Sequence, residues 1–129
     1  MKNLFLLLFI TASLFSGCKK DSPDDNSKNP NNNPALFHNW QLTERLEHNP
    51  NGVETTDTVI GVTWNISTTQ VCKTEYINYN CYSYVYNNPN VTINNIDVYT
   101  VDKLNATDLW LRDNSSGSGK YYVYKFIRI

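Results

Sequence analysis

Tyrosine is the residue through which this chain most plainly offers recognition chemistry: Tyr76, Tyr79, Tyr82, Tyr84 and Tyr86 crowd one stretch, and Tyr121, Tyr122 and Tyr124 load another. Each supplies a large amphipathic surface that binds at low entropic cost. If Tyr82, Tyr84 and Tyr86 face the interior of a fold they line, with Trp64, a pocket for an apolar or aromatic ligand. If they face outward they form a ladder on which a protein or glycan can stack, or that simply stabilises a sheet. Parity puts the three on one face and leaves open which face it is. Catalytic groups are harder to assemble. His38 and His48 are the two histidines, and no Cys or carboxylate set stands around them at ligand spacing, so no metal site is expected. Serines fall in turns away from histidine, no Gly-rich phosphate loop occurs, and the carboxylates are scattered, so no catalytic residue, enzymatic activity or cofactor is expected. Eleven basic and twelve acidic residues give a net charge of −1. With no basic stripe to neutralise phosphates, nucleic acid is excluded as an expected partner.

The N-terminus carries a different chemistry. Lys2 precedes an apolar run, Leu4 to Phe15, that is too short to span a bilayer and reads as a signal peptide over residues 1–17. Leu14-Phe15-Ser16-Gly17-Cys18 resembles the bacterial lipobox, with Phe15 where Leu is usual. That resemblance implies cleavage before Cys18 and attachment of acyl chains such as palmitate. Each buried CH₂ contributes about 0.8 kcal/mol, so several chains hold the protein at a membrane for good. The next residues, Lys19-Lys20-Asp21-Ser22-Pro23-Asp24-Asp25, resemble the charged segment that sends some Gram-negative lipoproteins to the outer face of the outer membrane. The alternative is a solvated tether facing the periplasm. Residues 18–34 contain no aliphatic side chain and are expected to stay disordered, spanning about 20–25 Å as flexible coil. Export also bears on Cys72 and Cys81, since disulfides persist outside the cytoplasm. A bridge between them closes a loop of about ten residues. A tight turn at Asn78-Tyr79-Asn80 would set Cys81 opposite Ile77 and part the thiols, whereas a wider loop over 73–80 would permit the bond. Two free thiols remain the alternative.

Residues 35–129 must form the elements that position these groups. Leu36, Trp40, Leu42 and Leu46 share one parity, and Ile60, Val62, Trp64 and Ile66 repeat the alternation, the period-two pattern of strands with one buried face. Further strands are expected at 71–77, 81–86, 91–93, 96–101, 109–112 and 121–129, with Asn, Pro, Asp, Ser and Gly marking the breaks. About eight short strands with no crossover helix predict one all-β domain, a single antiparallel up-and-down barrel, with a β-sandwich as the competing architecture. Trp40 and Trp64 are expected to plug its interior or base.

The start of this domain, with Trp40-Gln41-Leu42-Thr43-Glu44, looks like the small bacterial lipocalin-like lipoprotein domains. Val101-Asp102-Lys103-Leu104-Asn105-Ala106-Thr107-Asp108-Leu109-Trp110-Leu111 followed by Tyr122-Val123-Tyr124-Lys125-Phe126 is similar to their last two strands. His38 stands where lipocalins proper carry Gly. The resemblance implies a lipocalin-like barrel enclosing a small apolar or amphipathic ligand, with Arg128 stacking on Trp40 to close the barrel. A packed barrel that contacts a surface glycan or protein through an outer tyrosine face is the alternative. Either way a lipid-anchored monomer at the cell envelope is expected.

Overall fold

The computed structural model describes residues 33–129. The expected signal peptide (1–17), the lipidation residue Cys18 and the tether up to residue 32 lie outside the described residues. Asn33 and Pro34, expected at the end of the tether, belong to the fold. The Asn33 side chain accepts the Ala35 N–H at 3.1 Å and caps a 3-10 helix, Pro34–Leu36. Proline suits the first helical turn because its missing N–H would be unpaired there.

Nine strands follow in chain order: β1 (Asn39–His48), β2 (Glu54–Thr58), β3 (Val62–Ile66), β4 (Gln70–Glu75), β5 (Asn78–Asn87), β6 (Asn90–Ile93), β7 (Asp97–Leu104), β8 (Asp108–Asp113) and β9 (Tyr121–Arg128). From β3 to β9 each strand pairs antiparallel with its sequence neighbour, and β9 returns to pair with β1. The sheet is therefore a closed barrel. The lower half of β1 pairs with β3 through Trp40 opposite Trp64, and its upper half pairs with β2 through Arg45 opposite Asp57. Thus β2 and β3 are one stave of eight, broken where Gly61 turns with φ +77°. The expected up-and-down barrel is the fold, not the sandwich. The turns of β1–β2, β4–β5, β6–β7 and β8–β9 gather at one end, the mouth, and the other turns and the 3-10 helix gather at the base.

Besides a bulge between Val101 and Lys103 in β7, three local features depart from the expected pattern. A bulge between Leu42 and Glu44 inserts Thr43 as an extra residue, its hydroxyl donating to the Lys125 carbonyl at 3.1 Å. A bulge reverses which parity faces inward. Leu46 therefore leaves the core face, and Arg45 and Glu47 turn into the barrel mouth. Ile60, expected on the buried face of its strand, is 75% exposed beside the Gly61 break. Finally, the β4–β5 turn uses Tyr76 and Ile77, with Tyr76 at φ 57°, so that Glu75 pairs with Asn78. A two-residue turn with positive φ matches the twist of a hairpin. It lies before the tight turn weighed from the sequence and within the span of the wider loop, and it sets Cys72 directly opposite Cys81. The two sulfurs are bonded, 2.07 Å apart.

Candidate functional site

Residues directly opposite in an antiparallel pair share a face, so the register tells which side chains enter the barrel. The lower interior is filled by Leu36, Trp40, Leu42, Ile66, Val71, Val91, Ile93, Leu109, Leu111 and Phe126, all buried. Burial of aromatic and branched side chains is the main force holding such a core, roughly 1.5–3 kcal/mol for each fully buried side chain. Trp40 plugs the base and its Nε1 donates to the Leu36 carbonyl at 3.0 Å, which satisfies the buried indole.

Tyr82, Tyr84 and Tyr86 all face inward, since Tyr82 stands opposite Val71 and Tyr84 opposite Ile93. They serve different ends of the barrel. The Tyr84 hydroxyl donates to the Ser67 carbonyl at 2.7 Å, and burial pushes its pKa up to about 12. The Tyr86 hydroxyl donates to Asn88 Oδ1 at 3.1 Å and accepts from Asn33 Nδ2 at 3.3 Å. These two fasten the base and line none of the mouth clefts described below. Tyr82 lies higher and borders the mouth, while Trp64 forms part of the floor beneath it, packed against Phe126 with ring centroids 4.9 Å apart. Arg128 stands opposite Trp40 where β9 closes onto β1, but its side chain is exposed, and the Trp40 ring is met edge-on by His38 at 5.8 Å. The expected Arg128–Trp40 stack is replaced by that contact. His48 stacks on Tyr121 at 4.4 Å on the outer wall.

Above Trp64 the interior becomes polar. Lys73 stands opposite Trp64 and turns its ammonium over three rings, 4.3 Å from the centroid of Trp64 and 5.7 Å from those of Tyr82 and Tyr99. Burial lowers the Lys73 pKa, and Asp97, Glu75 and Asp113 partly oppose that fall. Burial likewise raises the hydroxyls of Tyr99 and Tyr124, which lie ring edge to ring face at 6.1 Å. On the β1–β2 side Arg45 pairs with Asp57 at 2.6 Å, and Lys120 bridges to Glu47 at 2.9 Å.

Two adjoining clefts open at this mouth and share Glu75. The larger, about 530 Å³ and open to solvent, runs along the broken β2–β3 stave over Leu42, Val59, Val62 and Tyr124, with Arg45 and Asp57 on its wall. The smaller, about 180 Å³, is lined by Lys73, Glu75, Asn78, Asn80, Tyr82, Asn94, Ile96 and Asp97. Its origin lies in strand lengths. β6 has four residues against ten in β5, and their ladder ends at Tyr84–Ile93. Beyond one further bond from Asn94 N–H to the Ser83 carbonyl, the upper half of β5 has β4 on one side and no strand on the other, and the wall is notched there. The sequence reading named Tyr82 for this region but missed Lys73, Asn78, Asn80, Asn94 and Asp97. The alternation Val71-Lys73-Glu75 was the signal: two charges on the parity of a buried valine.

No family model matches the sequence, and no curated protein does. Two solved structures match the fold. The crystal structure of a lipocalin-like protein from Bacteroides uniformis superimposes with a TM-score of 0.51 at 15% identity, covering 74% of this chain and 99% of that one. The barrel is lipocalin-like. An uncharacterized protein from Bacteroides eggerthii gives a TM-score of 0.52 at 14% identity, over 73% of this chain and 99% of its own. What the lipocalin-like barrel shares with both is its architecture; chemistry must be argued from its own mouth.

Proposed function

We propose that this protein is a lipid-anchored binding module of the bacterial cell envelope that holds a small amphipathic ligand at the open end of its barrel. The observation carrying this reading is the pair of clefts that meet at Glu75, one floored by apolar side chains and the other lined by polar ones. Binding pockets commonly combine an apolar body with a few converging polar groups. Because the lower barrel is packed, an apolar body rests across Leu42, Val59, Val62 and Tyr124 while the polar end turns toward Lys73, Glu75 and Asp97. This ligand is shallower and more polar at one end than a wholly apolar cargo enclosed by Tyr84 and Tyr86. The anchoring half of the reading is supported by Ser16-Gly17-Cys18 behind the apolar run, and the outer membrane destination by the charges after Cys18.

Native mass spectrometry of the full protein isolated from its host's envelope in mild detergent tests the first half. A stoichiometric adduct lost on denaturation supports the reading, and an unliganded mass across preparations counts against it. For the second half, labelled palmitate should be incorporated by the natural chain and not by Cys18→Ser. Equal labelling, or none in either, defeats lipid anchoring.

A further inference from the structure

The smaller cleft differs from the rest of the mouth in one respect. Across the rim Arg45 is paired with Asp57 and Glu47 with Lys120. Around the notch, the side chains of Lys73, Glu75, Asn78, Asn80, Tyr82, Asn94 and Asp97 form neither a hydrogen bond nor an ion pair with any other described residue. Six of these stand on strands whose register turns them into the barrel: Lys73 opposite Asn80, Glu75 opposite Asn78, Tyr82 opposite Val71, and Asp97 opposite Ile93. Seven polar groups thus converge without satisfying one another; Glu75, Asn78, Asn80, Asn94 and Asp97 are exposed to water, which a ligand with matching donors and acceptors can replace.

From the chemistry of this lining we infer that the polar end of the ligand is a neutral polyhydroxyl group, such as a single sugar ring, seated between β5 and the β6–β7 turn. The inference rests on the amphipathic-ligand reading above. A hydroxyl both donates and accepts, an ammonium only donates, a carboxylate only accepts and an amide does each with a different atom. Three amides, two carboxylates, one ammonium and one phenol therefore find complementary partners on a ring bearing several hydroxyls. A carboxylate head would reach Lys73 only beside Glu75 and Asp97, and a cationic head, although drawn to those two carboxylates, would lie beside the Lys73 ammonium that already faces them; a neutral head meets neither repulsion and uses all seven groups. The Tyr82 ring adds an apolar face for the C–H side of the sugar. About 180 Å³ gives room for one ring, and the neighbouring cleft takes what is attached to it.

Amphiphiles sharing one tail and differing in head separate the possibilities. The chain from residue 18 carrying Cys18→Ser is titrated, below micelle-forming concentrations, with octyl glucoside, octyl galactoside, octanoate and octyltrimethylammonium, and followed by heteronuclear NMR. A glycoside is expected to bind at least about tenfold more tightly than either charged amphiphile. Its head should shift the side-chain amides of Asn78, Asn80 and Asn94, and Asn80→Ala with Asn94→Ala should remove its advantage while the thermal midpoint stays near that of the parent. If all four bind alike, with shifts confined to Leu42, Val59, Val62 and Tyr124, the sugar inference falls and the amphiphile reading stands. Tighter binding of octanoate with shifts at Lys73 overturns the inference in favour of an anionic head. Binding by none of the four defeats both.

Discussion

The Cys72–Cys81 bond offers a prediction whose size follows from the structure. The two residues are nine apart in sequence, so the bond closes a loop of about ten residues. On the chain-entropy model its removal frees the unfolded chain by about 2.7 kcal/mol at 25 °C. Cys72 is buried and Cys81 exposed, so the double variant Cys72→Ala, Cys81→Ala avoids burying a new polar group. For a domain of this size the loss should lower the thermal midpoint by about 11–21 °C. The urea midpoint should fall by roughly 1–2.7 M. If the effect is exerted on the unfolded state, the urea m-value should also rise, because the uncrosslinked chain exposes more surface, and reduction of the natural protein should reproduce both changes. The cysteines occupy the parity opposite to Lys73, Asn80 and Tyr82, so the cleft should remain intact where the variant is folded. A loss below about 0.5 kcal/mol with unchanged m would refute the reasoning and mean that the hairpin is equally ordered without its bond.

Lys73 is charged at a partly buried position, so its folded pKa lies below the ordinary 10.5; the penalty is complete below that folded value and is relieved as pH rises through it toward 10.5. Lys73→Met should therefore gain stability relative to the parent at about pH 7, and its advantage should shrink by about pH 10 in paired urea titrations; a constant difference would contradict the linkage. Arg45→Met should change stability by less than about 1 kcal/mol by denaturant unfolding, since both members of the Arg45–Asp57 pair are about half exposed. Gly61→Ala meets only Tyr76 Cδ1 at 3.7 Å, so the left-handed backbone alone should cost about 1–2 kcal/mol by thermal unfolding. Trp40→Ala should cost about 3–5 kcal/mol by the same measurement, as the plug of the base is fully buried.

What could be read in advance followed from hydrophobic period. Val62, Trp64 and Ile66 declared their strand, and Tyr84 shared its inward face with Ile93 once the barrel closed. β2 went unseen because its five residues are all exposed and carry no apolar alternation; its place is set by the register of Glu44–His48 beside it. Leu46 misled because nothing in the residues around Thr43 announces a bulge, and a bulge reverses the inference drawn from parity. The inward or outward choice for Tyr82 and the two tyrosines after it was undecidable from one strand, since only the partners of β5 reveal which side is filled. The polar cleft was hidden for a further reason. It exists because β6 is only four residues long, leaving the upper half of β5 without a partner on that side, and such a mismatch is a property of neighbouring strands together.

The same irregularities that obscured the reading distribute the chemistry. Trp40 and Leu42 keep the parity that fills the base, and the extra residue Thr43 then exchanges that parity for the one bearing Arg45 and Glu47. On the opposite wall the chain needs no bulge, because Val71 is followed on its own face by Lys73 and Glu75, and the notch beside β5 leaves these open to a ligand. Closure of β9 onto β1 joins the two edges that an open sheet would expose, apart from the outer side of β2 and the notch beside β5. Stability is therefore concentrated in the lower barrel, and polar side chains at the mouth can vary at small cost to the core. Such a division lets one barrel architecture serve ligands of different chemistry, which is why the ring of residues around Lys73, and not the likeness of the barrel to its structural neighbours, is where the proposed binding must be tested.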